Sequence, residues 1–390
     1  MSKSVVQQET SSISSATQEP VVPVSVGYLP VLNMLRGLAA LAVVLFHFLR
    51  TPNLIENQTI YGVAGYGALG VHVFFVISGI VIPLSLVKGQ YAYRKFGRFM
   101  WKRALRIEPP YLISIVLFAL YGIARTWLGE IYPTVGAGTY SIPDSPTILA
   151  HLGYLVPFNW GLPYFKDATW LNDAYWTLAV EFQYYLLVAI SFPLLFHRKA
   201  MVRMSCLLPM ILSSMVLFET IKGPDSGLVF RWLPYFVVGI EFVQYQMRLI
   251  RKGEYAVISL FALAVITWNE SAAHALAASG VILMVFFAPE FRMKWGDYFG
   301  DISYSLYLLH GLLGWSILNY VAGREFSTLS RGLAVVVAVA VSVVSAHLMF
   351  RFVETPSSKA SKAVQLVDDS PSAPTDVTRL DRNKRSSRAA

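Results

Sequence analysis

Apolar stretches recur along this chain, each close to the ~20 helical residues that a hydrocarbon core ~30 Å thick requires. They fall at 31–50, 66–87, 107–128, 174–195, 203–220, 229–247, 254–269, 272–289, 301–321 and 331–352. In lipid a backbone satisfies its own polar groups as a helix or a closed barrel, and runs of this length select the helix. The expected fold class is therefore all-α: a polytopic membrane helix bundle with about ten transmembrane helices. Of the 390 residues, 55% are hydrophobic and only 14% charged, which excludes an ordinary soluble domain. The stretch 147–165 is also apolar, but Gly153, Pro157, Gly161 and Pro163 mark it as interfacial or re-entrant.

Residues 1–29 are polar, with no basic start followed by a short apolar core, and read as a disordered cytoplasmic tail rather than a signal peptide. Residues 30–355 form the membrane domain. Residues 356–390 read as a disordered basic cytoplasmic tail, with Arg379, Arg382, Lys384, Arg385 and Arg388 beyond Pro371 and Pro374, able to touch anionic membrane lipids. The net charge of +9 is a topology signal rather than a nucleic-acid footprint. Its cations gather after the second, fourth, sixth and eighth spans: Lys88 to Arg106, Arg198 to Arg203, Arg248 to Lys252, and Arg292 with Lys294. That bias puts both termini in the cytoplasm of a cell whose inner membrane the chain would cross. The single cysteine, Cys206, excludes an intrachain disulfide framework and a cysteine-based metal cluster, and no metal site is expected. No internal repeat is visible.

Chemistry is expected where ionisable residues interrupt the apolar runs. Arg36 and His47 stand eleven residues apart in the first span. On a helix that returns them to within roughly 20° of one face, about 16 Å apart along the axis. An arginine in a spanning helix costs on the order of 2.5–3.5 kcal/mol on insertion scales, so it faces a cavity or partner unless it snorkels to the interface. His72 in the second span lies in the same outer third as His47, and the two read as sharing one outward cavity. Ser78 lacks a Gly-x-Ser-x-Gly elbow and reads as bonding its own helix. Arg103 and Arg106 share a face at the membrane surface, a spacing suited to phosphate oxygens as well as to plain positive-inside anchoring. Glu181 lies inside the fourth span and needs a proton, a donor or a cation; a histidine or arginine of the first span is the natural partner. In the ninth span Tyr304, Tyr307 and His310 follow at i, i+3 and i+6. His347, Glu354 and Glu241 read as features of helix ends.

Five motifs in order carry a family resemblance: Arg36-Gly37 with His47; Gly70-Val71-His72-Val73-Phe74-Phe75-Val76-Ile77-Ser78-Gly79; Arg103-Ala104-Leu105-Arg106-Ile107-Glu108-Pro109-Pro110-Tyr111; Trp176-Thr177-Leu178-Ala179-Val180-Glu181-Phe182-Gln183-Tyr184-Tyr185; and Ser303-Tyr304-Ser305-Leu306-Tyr307-Leu308-Leu309-His310. Over residues 30–355 the chain resembles the acyltransferase 3 family of integral membrane acyltransferases. It departs at Asn33, where the family often has an acid, and no hydrolase-like domain is expected after the last span.

The resemblance implies transfer of an acyl group, most often acetyl, from cytosolic acyl-coenzyme A to a hydroxyl of a glycan or glycolipid such as lipopolysaccharide or exopolysaccharide. It implies that His47, Arg36 and Glu181 are catalytic, and that Arg103, Arg106 and Arg36 hold acetyl-coenzyme A, the donor co-substrate. His72, Trp176, Tyr307 and His310 are its substrate-binding candidates. In that picture His47 takes the hydroxyl proton or first accepts the acyl group, and Glu181 orients the imidazole. The alternative is a proton-coupled transporter in which the same residues form a relay.

Overall fold

The computed structural model describes residues 29–131, 143–218 and 227–366, and every regular element among them is helical. The tail readings for 1–28 and 367–390 lie outside the described residues. In chain order the helices are α1 (Pro30–Leu49), α2 (Gln58–Gly65), α3 (Leu69–Lys88), α4 (Phe96–Ile131), α5 (Ser145–Leu152), α6 (Trp176–Leu195) and α7 (Ala200–Phe218). They continue with α8 (Leu233–Gln246), α9 (Lys252–Asn269), α10 (Ala272–Phe287), α11 (Lys294–Asp301), α12 (Ser303–Ala322), α13 (Thr328–Met349) and α14 (Thr355–Ala363).

Among the described residues a helix falls within each of the ten apolar stretches, but only α1, α3, α4, α6 and α13 are long and apolar enough to cross a membrane by length and composition; α7 and α10 are shorter apolar helices. The clearest departure is α8. Its 14 residues span about 21 Å at 1.5 Å each, less than a bilayer core. Every residue from Leu233 to Gln244 is buried, so protein rather than lipid surrounds this helix. It packs on α3 through facing glycines: a Cβ on Gly239 would stand 2.5 Å from Gly79 C and Val76 O, and one on Gly79 would strike Phe236 O. Small residues let two backbones touch.

Two expected boundaries move. The third span was expected to begin at 107, after a cationic loop, whereas α4 is helical from Phe96. Arg103 is tolerated inside it because its Nη2 donates to Ser85 Oγ at 2.5 Å and its guanidinium lies over the rings of Phe99 (5.4 Å) and Tyr185 (5.6 Å). The helix also runs through Pro109 and Pro110. Residues 356–363, expected as tail, belong to α14, which packs against α4. Polar bonds hold it there, since Ser361 Oγ donates to Lys102 O (2.7 Å) and Lys102 Nζ to Val364 O (2.9 Å). Such bonds leave no apolar periodicity in the sequence. The stretch 147–165 forms no spanning helix: α5, whose N-terminus Asp144 caps through Thr147 N at 2.9 Å, gives way to short 3-10 turns.

Candidate functional site

One cavity opens among α1, α3, α4, α6 and α12, and it gathers ionisable groups that the sequence scatters over three hundred residues. Arg36, Arg103, Arg106 and Glu181 all line it. Glu354 joins them, although it reads in sequence as a helix-end residue. The reason is local: residues Phe350–Glu354 form a π-helical turn at the end of α13, and such turns re-aim side chains relative to an α-helical register. Glu354 is buried and its Oε2 accepts from Ser305 Oγ at 2.6 Å. Three guanidiniums thus face two carboxylates, within electrostatic reach of one another: Arg36 with Arg106, Glu354 and Glu181, and Glu354 with both Arg36 and Arg106. Arg36 therefore faces the cavity and its partners rather than snorkelling.

Glu181 takes its hydrogen bonds from Tyr185 OH (2.5 Å) and Ser78 Oγ (3.3 Å). This corrects two expectations. Ser78 serves Glu181 rather than its own helix, and Glu181 bonds a tyrosine and a serine rather than the His47 imidazole. Tyr185, Ser78 and Tyr304 also line the cavity, and sequence reasoning gave none of them a place in it. Tyr304 OH donates to Ile107 O at 2.9 Å, beside the prolines of α4. Tyrosine beside an acidic span residue was the available signal for Tyr185, four residues and one turn from Glu181.

On the side toward His310 the cavity is lined by Phe74, Thr177 and Tyr307. Tyr307 OH is paired with Thr177 Oγ1 (2.8 Å) and donates to Ala174 O (3.1 Å), while the Phe74 ring stands 6.0 Å from its own. Behind this wall lies His310, its ring 6.1 Å from Tyr307, and then His47, 5.1 Å from His310. Arg36 lines the cavity, and His47, further along α1, stands past its far wall against His310 and Trp315. The close approach of α1 to α12 has a plain cause. A Cβ on Gly314 would strike the Phe48 ring, so only glycine lets Phe48 seat there.

His72 does not share a cavity with His47. Its ring sits 4.5 Å from His274, 4.8 Å from Tyr235 and 5.4 Å from Trp232, in a separate aromatic cluster. Phe75 divides that cluster from the cavity it lines, touching His72 at 6.4 Å and Trp176 at 6.2 Å. Of the sequence candidates, then, Arg36, Arg103, Arg106, Glu181 and Tyr307 come together; His47 and His310 stand behind Tyr307; His72 and Trp176 lie behind Phe75. Glu241 is no helix-end residue: it is fully buried in α8, with Ser259 Oγ donating to its Oε2 at 2.7 Å. His347 does sit at the end of α13, its Nδ1 3.2 Å from Tyr298 OH. No group of three or more His, Cys, Asp or Glu suited to a metal ion occurs among the described residues.

These features define a helical membrane protein built around an internal cavity of arginines and carboxylates. Residues 29–347 match the acyltransferase domain family Acyl_transf_3, and the chain belongs to that family. It is similar to the O-acetyltransferase OatA of Staphylococcus aureus strain NCTC 8325 / PS 47, 26% identical over 381 residues that cover 85% of this chain and 57% of the relative. The chain thus spans a little over half the length of that relative. It is also similar to the acyltransferase MdmB of Streptomyces mycarofaciens, 26% identical over 383 residues, 86% of this chain and 93% of the relative. No solved structure matches the chain.

Proposed function

We propose that this chain is a membrane O-acyltransferase that moves an acyl group, most simply acetyl, from cytosolic acyl-coenzyme A to a hydroxyl of a cell-surface glycan or glycolipid. The observation that carries the reading is the shared cavity of Arg36, Arg103 and Arg106 inside an apolar bundle. A surplus of guanidinium in low dielectric suits a polyanionic donor, because each fork binds phosphate oxygens in a bidentate manner. The named activities of the two relatives, O-acetyl and acyl transfer, point the same way. Family membership weighs against the transporter alternative.

In this reading Arg103 and Arg106 receive the donor's phosphates and Arg36 holds the arm that follows. Glu181 and Glu354 keep Arg36 and Arg106 in place. The acceptor hydroxyl approaches His47 from the outer side, and donor and acceptor meet where the Phe74–Tyr307 wall parts. His47 accepts the hydroxyl proton as the oxygen bonds the acyl carbon; the carbon–sulfur bond breaks and the thiolate takes a proton, leaving free coenzyme A. Confinement of the two reactants supplies further acceleration. This reading gives His72 and Trp176 no role, because both lie on the far side of Phe75 from the arginines and away from His47. The loop charges support a protein in the inner membrane with both termini cytoplasmic.

The test uses the purified full-length protein in lipid nanodiscs, with labelled acetyl-coenzyme A and extracted surface glycan. Free thiol and labelled glycan appear together in the wild type and are absent in His47→Ala at equal membrane abundance. Wild-type protein that releases no thiol with any surface glycan overturns the assignment.

A further inference from the structure

His310 is fully buried, and its Nδ1 lies 2.9 Å from Tyr307 O and 3.2 Å from Leu306 O. Carbonyl oxygens only accept, so Nδ1 must carry the hydrogen. In the neutral ring that leaves the lone pair on Nε2. This Nε2 is buried and has no hydrogen-bond partner among the described residues. A buried acceptor without a donor costs on the order of 1–3 kcal/mol, which a fold bears where the group has a task.

Three aromatic neighbours of this ring carry a hydrogen-bond donor, and the Ser342 hydroxyl is given to backbone carbonyls. Tyr307 has committed its hydroxyl to Ala174 O, and its ring stands 6.1 Å away. Trp315 presents its indole at 6.0 Å. His47 is nearest, with ring centroids 5.1 Å apart and planes tilted by 37°, and it is only half-buried. Two independent restraints hold His310 against it. Asn172 Nδ2 donates to Leu308 O at 3.0 Å, and the Phe48 ring seats against Gly314 on the neighbouring turn.

We propose that His310 is the positioning residue of the acyl transfer: a small turn of the facing rings lets its Nε2, unpartnered in this structure, accept the N–H of His47 and so present the other His47 nitrogen, unprotonated, to the acceptor hydroxyl. The inference rests on the reading of His47 as proton acceptor. It assigns His310 the part that a carboxylate plays beside a catalytic imidazole elsewhere. A neutral imidazole suits this place, since the pair then holds no net charge until the proton arrives from the hydroxyl, and that proton leaves with the thiol. Glu181, engaged by Tyr185 and Ser78, does not serve His47.

The experiment measures kcat and KM for acetyl-coenzyme A in His310→Phe, His310→Gln, Trp315→Phe, His47→Ala and the double variant His47→Ala/His310→Phe, with the thermal midpoint of each. Phenylalanine keeps the ring and removes the acceptor; glutamine restores an acceptor oxygen. The expected result is a kcat at least tenfold lower in His310→Phe with KM unchanged, recovery of several-fold in His310→Gln, and wild-type rates in Trp315→Phe. The double variant should match His47→Ala alone, because the two side chains act as one unit. His310→Phe at wild-type rate overturns this inference and leaves the reading of His47 standing. An active His47→Ala overturns both. Equal loss in the two His310 variants with a lowered midpoint, or a Trp315→Phe as impaired as His310→Phe, shows a packing role or a different donor and also overturns it.

Discussion

Two histidine pairs sit in this bundle, and they look alike in sequence. His47 and His72 each interrupt an apolar span, and each meets a second histidine in space: His310 at 5.1 Å and His274 at 4.5 Å. What surrounds them differs. His310 is bonded to two backbone carbonyls, and its neighbour Tyr307 lines the arginine cavity. His72 bonds no side chain at either nitrogen, with only the Ala68 backbone beside it, and its ring is packed among Phe75, Trp232 and Tyr235. An imidazole held at one nitrogen has a defined lone pair at the other; His310 has such a nitrogen in a ring 5.1 Å from His47, whereas His72 lies among aromatic rings with no side-chain donor or acceptor bonded to it. The difference teaches that a histidine within a span is not by itself a site: what its ring meets, a backbone-held histidine or a cluster of aromatic rings, is settled by the packing of other helices.

The strongest test of that contrast replaces each first histidine. His47→Ala should lower acyl transfer by about 10²–10⁴-fold, the range for loss of a general base, whereas His72→Phe should stay within tenfold of wild type. Thiol release and glycan labelling measure both, and a comparable collapse in His72→Phe would erase the distinction. Next comes the cavity that serves only the first pair. Arg106→Gln removes a charge-assisted donor, a loss of about 1.5–3 kcal/mol, and should raise KM for acetyl-coenzyme A by tenfold or more with little change in kcat. Initial rates over a range of donor concentrations decide it.

Gly314→Ala sharpens the comparison from the packing side. Its methyl would strike the Phe48 ring and push α1 from α12, so the thermal midpoint should fall by the equivalent of about 1–3 kcal/mol, with lower activity. The smallest effect on transfer lies beside the second pair. Arg231 Nη2 and Glu270 Oε1 form an ion pair at 2.8 Å near His274, with side chains 11% and 16% exposed. Glu270→Gln should cost about 1–3 kcal/mol in thermal stability, since it leaves a mostly buried guanidinium without its charged partner, and leave the transfer rate unchanged. A large loss of rate would tie the His72 cluster to the chemistry.

The apolar runs were legible because lipid imposes their length directly on the sequence, and each contains a helix among the described residues. Five of them meet the length and apolarity of a membrane span, α1 and α13 among them. Residues 229–247 read like any other span, yet α8 is enclosed by protein, since an apolar helix looks the same to the eye whether lipid or other helices cover it. Arg36, Arg103, Arg106 and Glu181 were legible for the opposite reason: charge in an apolar run is expensive and stands out. Glu354 did not stand out. It lies at the end of its run, and only a turn of π-helix carries it to Ser305 and the cavity.

By itself, then, the sequence determined a helical membrane chain of the acyltransferase family and named most of the charged groups in its cavity, because insertion energies and motif spacing are written residue by residue. The tertiary structure alone decided that Tyr307 and Phe74 separate His47 from that cavity, that His72 belongs to another cluster, and that His310 stands beside His47. Those relations arise from how helices distant in the chain cross, and crossings are set by small-residue contacts such as Gly79 with Gly239 and Gly314 with Phe48. A periodicity within one helix carries no record of its neighbour.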